Sequence, residues 1–484
     1  MGYLSIDVGT TRCKCQLFSE DGEILQYLFK DYDFREDGGY HYVDIHAIEA
    51  NLRQMISEIT AKFEVRSVCV SSLGESFVAL DQNGEVLFYP MLYTDPRGEE
   101  EAEEIKRVIG ASRAFEITGV IPHSMYSLSK LLWIQKHHPE TFARIDRVML
   151  MCDYIGYLLT GERVIDYALA SRTAAFDIER KKFSETMLGA FGIDAQIFSK
   201  PMCAGSIVGP VKREWGMNAT LVLGSHDQVC TSLGAGALQA GDAVDGLGTV
   251  ECITALFAQK PKSVQMGEQG YPCVPYPIDG LYCTYILNYS CGSTVNWLRK
   301  RVMHDYCGDE ADFFSYIEQD MKDAPSGILT LPYFGGASTP YQDLNAKGAI
   351  LNLTTDTRDC DLYQSVMEGT AFEMRLNGEV VEQYGIRVQN AVATGGGANS
   401  ARWLQIKSDI QGIPIKALRS SEGGLCGCAM LQAVAMGGVA NWSEARERFV
   451  RYTKAFAPRA AVQAAYEQPY QAYKKIYHTV KELF

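Results

Sequence analysis

No two of the fourteen cysteines in this 484-residue sequence form a C-x-x-C pair, and none joins a Cys/His cluster with zinc spacing. That excludes the common structural zinc sites and thioredoxin-type redox chemistry. The thiols are expected to be small buried groups in a reducing compartment. A G-x-x-x-x-G-K-[ST] loop is also missing, as is any G-x-G-x-x-G loop in a βαβ setting, so P-loop and Rossmann readings fail. No apolar run is long enough to span a bilayer. The N-terminus enters a strand with an acid at Asp7 rather than a basic-then-apolar leader, so the expected location is the cytoplasm. Basic charge is in deficit: 45 Lys and Arg stand against 59 Asp and Glu, for a net charge of −14. Such a surface repels phosphate backbones and anionic lipid, so no nucleic-acid or membrane partner is expected. A small anionic ligand remains possible where local groups override the field.

The length favours two domains. Low-complexity linkers are absent, and the boundary is placed at the Gly/Ala cluster Gly234–Gly241, giving 1–238 and 239–484. Tyr3–Ile6 reads as a strand, Asp7-Val8-Gly9-Thr10-Thr11 as its turn, and Cys13–Phe18 as the return strand. A weaker copy occurs halfway along, where Ala243–Asp245 leads through Gly246-Leu247-Gly248-Thr249 into Glu251–Phe257. Two such units suggest an internal duplication. Asp95-Pro96 followed by Glu99, Glu100 and Glu101 reads as a helix start. Ser127–His138 and Val148–Leu159 read as helices. Tyr466, Tyr470, Tyr473 and Tyr477 form one face of a C-terminal helix whose regular part is expected from Pro469. Strands alternate with helices in both halves, so the class is α/β.

Several segments carry chemistry. Gly permits close approach of a phosphate and Thr adds a hydroxyl, so the two Gly-Thr turns suit a triphosphate, with Asp7 able to hold Mg²⁺. Taken alone, the first of them reads more readily as a plain hairpin turn with a capping Asp. Ala393-Thr394-Gly395-Gly396-Gly397-Ala398-Asn399-Ser400 runs from a strand into a helix and lets a backbone lie flat against a nucleotide. Gly224-Ser225-His226-Asp227-Gln228 follows the apolar Thr220–Leu223. Asp227 there can accept a hydroxyl proton or cap the helix that follows, and one residue can do both. His226 reads as an orienting or packed residue.

Together these segments resemble the FGGY carbohydrate kinases, and the match runs nearly end to end. The first family signature appears as Met125, Ser127, Lys130, Leu131, Trp133, Ile134, Lys136 and His137. The second spans Gly348–Glu368, with Leu353, Asp361, Leu362, Ser365, Val366, Met367 and Glu368 in place and a departure at Asn352, where the family has Gly. Glu422–Ala429 is similar to the family's late Gly-rich helix start. The resemblance implies a duplicated actin-like, RNase H-like ATPase fold with ATP and sugar in the interdomain cleft. On that basis 1–238 is the sugar side with the first phosphate loop, and 239–484 is the nucleotide side. It implies Asp7, Thr10, Thr11 and Arg12 at the phosphates, Gly248 and Thr249 as the second phosphate loop, and Gly396, Gly397 and Asn399 at the nucleoside. Asp227 is implied as general base and, with Asp7, as a contact for Mg²⁺. Glu75, Asp227 and Gln228 are implied at the sugar. Asp95 and Arg97 match a sugar-side D-x-R element, and a purely structural role fits them equally. The family also allows a homodimer.

Substrate choice rests on Ser71-Ser72-Leu73-Gly74-Glu75-Ser76. The Gln-Met-His element of typical xylulokinases is absent. Glu75 and the Asp227-Gln228 pair match glycerol kinases, but Gly74 replaces their Arg and Met125 their aromatic residue. The loss of bulk leaves room for more than three carbons, so a pentulose such as xylulose is expected, with a polyol of the glycerol or erythritol type as the alternative. The reading from another class is a non-kinase regulatory protein on the same actin-like fold. Asp227-Gln228 with Glu75 is a polar set that a filament subunit does not need.

Overall fold

The structure is a computed structural model and describes residues 1–303 and 310–484. The chain divides into two units. The first comprises Met1–Leu238, Pro272–Cys283 and Glu422–Val450, and the second Gln239–Tyr271, Thr284–Ser421 and Arg451–Phe484. The late Gly-rich helix, Gly423–Ala435, therefore packs with the N-terminal residues although it lies far along the chain.

Apolar residues alternating with small polar ones make Gly2–Val8, Arg12–Ser19 and Ile24–Asp31 a meander. The first unit's sheet runs Ile207–Pro210, Thr220–Val222, Val65–Ser72, Gly2–Val8, Arg12–Ser19, Ile24–Asp31. Val65–Ser72 lies parallel to both Gly2–Val8 and Thr220–Val222, and the outer pairings are antiparallel. The second unit's sheet contains, in order, Tyr282–Asn288, Glu251–Phe257, Asp242–Leu247, Asn390–Thr394, Ile415–Leu418, Tyr452–Phe456. Asp242–Leu247 is antiparallel to Glu251–Phe257 and parallel to Asn390–Thr394, which is parallel to Ile415–Leu418. The edge strand Tyr452–Phe456 is again antiparallel. The same pattern in both sheets establishes the duplication, with one Gly-Thr turn closing the leading hairpin of each.

Helices cover the sheets through apolar faces. Ile45–Thr60 starts on Asp44, whose carboxylate accepts the His46 and Ala47 amide N–H bonds, and buries Ile48, Leu52, Met55 and Ile59 at helical spacing. Gly423–Ala435 crosses Asp227–Gly234 at a distance only glycines permit. A Cβ on Gly427 would sit 2.0 Å from the Cys230 carbonyl oxygen, and one on Gly234 would sit 2.0 Å from that of Gly423. In the second unit Tyr466, Tyr470 and Tyr473 are buried around Phe372. Every described cysteine is free, and all but Cys203 and Cys252 are buried. No helix among the described residues is long and apolar enough to cross a membrane.

Three local expectations are corrected. The segment read as a helix from Val148 opens as the strand Arg147–Leu150, paired with Phe77–Leu80, and turns helical only at Met151. Its apolar run suits either state, and strand pairing decides it. The C-terminal helix begins at Ala460 and carries Pro469 inside it. Proline removes one backbone bond there, and the tyrosine packing on both sides holds the helix together. Asp95 starts no helix: Glu99–Ile109 begins after Gly98, four residues on.

Candidate active site

In the first unit, Asp7 stands at the end of Gly2–Val8, opposite Ser71 on one neighbouring strand and Lys14 on the other. Ser71 Oγ donates to Asp7 Oδ1 at 3.0 Å, and Lys14 Nζ lies 3.8 Å from Oδ2 while pairing with Glu422 at 2.7 Å. Burial raises the Asp7 pKa, against the pull of Lys14 and the Ser71 bond. The adjoining turn is tight. The Gly9 N–H donates to the Arg12 carbonyl at 3.0 Å, and the Tyr32 hydroxyl closes on the Gly9 carbonyl. Thr11 is exposed beside it. Arg12 is exposed too, with its guanidinium forked onto Asp31 and stacked 4.4 Å from the Phe29 ring centre.

Asp227 is the first residue of its helix, and His226 occupies the cap position. The capping role considered for Asp227 is therefore not the one adopted. His226 is buried and its pKa is pushed down to about 3, first by burial and then by Arg172, so the ring is neutral. Its Nε2 lies 3.2 Å from Asp227 Oδ1. The Asp227 carboxyl is pushed up to about 7 by burial, then by the charge of Asp7 and more weakly that of Glu75. The Gln228 backbone N–H and Arg172 pull it part of the way back. Since 34% of the side chain meets solvent, water damps this shift.

Glu75 follows Gly74 in the bend between Val65–Ser72 and Phe77–Leu80, with φ of 38°. It is not a solvated turn acid. Glu75 is buried and takes two bonds from Arg172 on its Oε1, the Nε one at 2.6 Å. The Arg172 guanidinium lies 5.0 Å from the Tyr126 ring centre. Arg172, ninety-seven residues away in sequence, is a residue that sequence reasoning missed; the only signal was its place directly after Asp166–Ser171, a segment similar to the middle region of the FGGY kinases. The space vacated at Gly74 is also occupied, because a Cβ there would lie 2.9 Å from His226 Nε2. Gly74 thus gives the substrate no extra room, and the size argument rests on Met125.

The family-like helix Ser127–His137 supports this site. Ser127 Oγ donates to the Glu75 carbonyl at 2.7 Å, and the buried Lys130 donates to the Asp95 carbonyl at 2.9 Å. Asp95 and Arg97 are bound to each other, with Nε–Oδ1 at 2.9 Å and Nη2–Oδ2 at 2.6 Å. Arg97 also donates to the Tyr42 hydroxyl and sits over the Tyr40 ring. Both residues are buried and satisfied by protein partners.

In the second unit, the Gly248-Thr249 turn leaves Thr249 exposed, while its carbonyls accept the amides of Gly292, Cys291 and Ser293. Beside it lies the glycine turn, whose three glycines differ. Gly395 has φ of 88°, and a Cβ on Gly397 would meet Leu247 Cβ at 2.9 Å and the Trp403 ring at 3.1 Å. A Cβ on Gly396 would meet nothing within 4 Å. Gly396 is therefore not needed for packing and presents open backbone. Asn399 is exposed at the end of the same turn, before Ser400 caps Ala401–Gln411. Asn352, the departure from the second signature, has φ of 70°. Asn tolerates this left-handed conformation better than most residues, so the substitution keeps the turn.

The duplicated sheet, with a Gly-Thr turn closing each leading hairpin, is the actin-like, ribonuclease H-like ATPase fold. Residues 2–234 match the N-terminal domain and residues 247–436 the C-terminal domain of the FGGY family of carbohydrate kinases. The chain belongs to that family and is a carbohydrate kinase. A full-length relative is the xylulose kinase of Bacillus subtilis (strain 168), 27% identical, with 99% of this chain and 97% of that protein aligned. Among solved structures, the xylulose kinase of Rhodospirillum rubrum superposes with a TM-score of 0.91 at 22% identity, covering 100% of this chain and 99% of that one. Plasmodium falciparum glycerol kinase with ADP gives 0.87 at 20% identity, covering 97% and 98%.

Proposed function

We propose that this carbohydrate kinase transfers the γ-phosphoryl group of ATP to a hydroxyl of a pentulose, with xylulose the first candidate. The observation that carries the reading is the placement of Asp227: a carboxylate on the first residue of its helix, 3.2 Å from the neutral His226 ring, whose pKa is pushed up toward about 7 by burial and then by the charges of Asp7 and Glu75. A base with that pKa is ionised often enough at neutral pH and still basic enough to take a hydroxyl proton. Asp227 accepts that proton as the hydroxyl oxygen attacks the γ-phosphorus in line and the bond to the β-phosphate oxygen breaks. Both Arg172 bonds end on Oε1 of Glu75, so Oε2 is the oxygen offered to a substrate hydroxyl. Gln228 lies beside the base and serves the same substrate, while Asp95 and Arg97 support the site from behind.

Thr10, Thr11, Gly248 and Thr249 receive the phosphates, with Arg12 at their edge, and Gly396, Gly397 and Asn399 receive the nucleoside. Mg²⁺ fits the Asp7 and Asp227 pair, because the charge of Asp7 raises the Asp227 pKa and a dication relieves that repulsion. No group of three or more metal-ligating side chains occurs among the described residues, which suits an ion that takes its remaining ligands from phosphates and water. When bound, the ion supplies charge neutralisation at the transferred group. Xylulose is favoured by the full-length relatives named xylulose kinase. The second reading, a polyol kinase, is favoured by Glu75 together with Asp227-Gln228.

Coupled ADP release should be screened over ketoses, alditols and glycerol. The expected result is turnover that depends on added sugar and is highest with a pentulose. Highest turnover with glycerol or erythritol selects the second reading, and equal turnover with and without every sugar removes the kinase assignment. On the nucleotide side, Gly396→Val is expected to raise the ATP KM roughly tenfold, the scale of about 1–2 kcal/mol of steric conflict. Its melting temperature should stay near wild type because a Cβ there has open space around it and the residue is exposed. Gly397→Val should instead lower the melting temperature, since Leu247 and Trp403 occupy its space. An unchanged ATP KM in a folded Gly396→Val enzyme takes the nucleoside away from this turn.

A further inference from the structure

Beneath the second Gly-Thr turn lies a group of charges that the proposed reaction does not use. Asp245 stands three residues before Gly248 on one strand of the hairpin, and Glu251 two residues after Thr249 on the other. Lys407 comes from the helix Ala401–Gln411, which follows the glycine turn. All three side chains are 0% exposed. Lys407 Nζ is 2.9 Å from Asp245 Oδ2 and also bonds Glu251 Oε1. The Cys291 thiol, whose backbone amide donates to Thr249, sits against Glu251.

A buried ammonium with two carboxylates is a costly way to fill a core, and apolar side chains of the same volume are often as stable. What ions offer instead is geometric definition: the ammonium's donors fix two acceptors at hydrogen-bond length. Here the bonded Glu251 Oε1 and the ion-paired Asp245 Oδ2 flank the Gly248-Thr249 turn on both sides, and the cation is borne by the helix that continues from Gly395–Asn399. Burial raises the Glu251 pKa, and the Lys407 charge pulls it part of the way back.

We propose that Lys407 is a positioning residue that locks the second phosphate turn to the nucleoside turn, so that both meet one nucleotide in fixed register. This rests on the nucleotide assignment above. The residue touches no substrate and acts through Asp245 and Glu251.

The test is Lys407→Met in the full chain, with Gly396→Val assayed in parallel, measuring ATP KM, sugar KM, kcat and melting temperature. The expected result is a folded enzyme whose ATP KM rises at least about tenfold while the sugar KM stays within about twofold of wild type. A purely structural role would lower the melting temperature without splitting the two KM values. If Lys407→Met does not fold, the triple variant Lys407→Met, Asp245→Asn, Glu251→Gln removes the buried charges at nearly constant shape. A folded triple variant with a raised ATP KM supports the proposal, and one with a normal ATP KM overturns it. Failure of both to fold makes the triad a folding element and also overturns it. A normal ATP KM in both Gly396→Val and Lys407→Met removes the nucleotide assignment itself. A raised value in the first with a normal value in the second removes only the role of Lys407.

Discussion

Asp227→Asn is expected to lower kcat by about 10²–10⁴-fold, the usual contribution of a positioned general base. The ATP KM should change little. Asn has nearly the same shape, so the loss reports the missing proton acceptor and, in part, a weaker hold on Mg²⁺. In the wild type, sugar kcat/KM should rise with pH along an acid limb that lies above the ordinary carboxylate range and no higher than about 7, where Asp227 ionises. That limb should vanish in the variant. Stability should run the other way. The folded carboxyl titrates above the unfolded one's ordinary 3.8, at up to about 7, so between these values the folded state holds more protons. The contribution is fully present below the unfolded value and is lost as pH rises through 7. Asp227→Asn should therefore melt higher than wild type at about pH 8 and alike near pH 4. A variant with near-normal kcat removes Asp227 from the mechanism.

Glu75→Gln is the second large expected effect. A hydrogen bond to a charged partner contributes about 1.5–3 kcal/mol, so sugar kcat/KM should fall roughly 10- to 150-fold. The ATP KM should hold steady, because the residue belongs to the acceptor side. The melting temperature should fall too, since the buried Arg172 guanidinium loses its counter-charge. Arg172→Lys separates the two roles: it keeps the charge but loses the fork that presents two donors to one oxygen. Its expected phenotype is a reduced sugar kcat/KM with a smaller loss of stability. An unchanged sugar kcat/KM in Glu75→Gln removes this carboxylate from the acceptor site.

Turn chemistry was the most legible layer of this molecule. Gly9-Thr10-Thr11 and Gly248-Thr249 are hairpin turns because short backbone reversals need small residues and hydroxyl donors, and this requirement is met within a few residues. The second signature's departure was readable for the same reason, since Asn352 can take a left-handed turn. Helix boundaries were less legible. Val148–Leu150 is apolar enough for strand or helix, and its pairing with Phe77–Ala79 lies some seventy residues away in the chain.

Among the charged residues the limit is sharper. The local sequence placed Asp7, Glu75 and Asp227 at strand ends and bends, where side chains can reach a ligand. It carried no sign that Asp95 and Arg97 would satisfy one another, that His226 would fill the space beside Gly74, or that Arg172 would hold Glu75. Fold class, family and the positions of the Gly-rich turns were determined by the sequence alone, because their motifs are read from residues close together in the chain, whereas the duplication was only suggested there and was established by the matching strand order of the two sheets. The partners of the buried charges were decided only by the tertiary structure. Glu251 and Lys407 are 156 residues apart in the chain, and only packing removes the water that would otherwise solvate each of them separately.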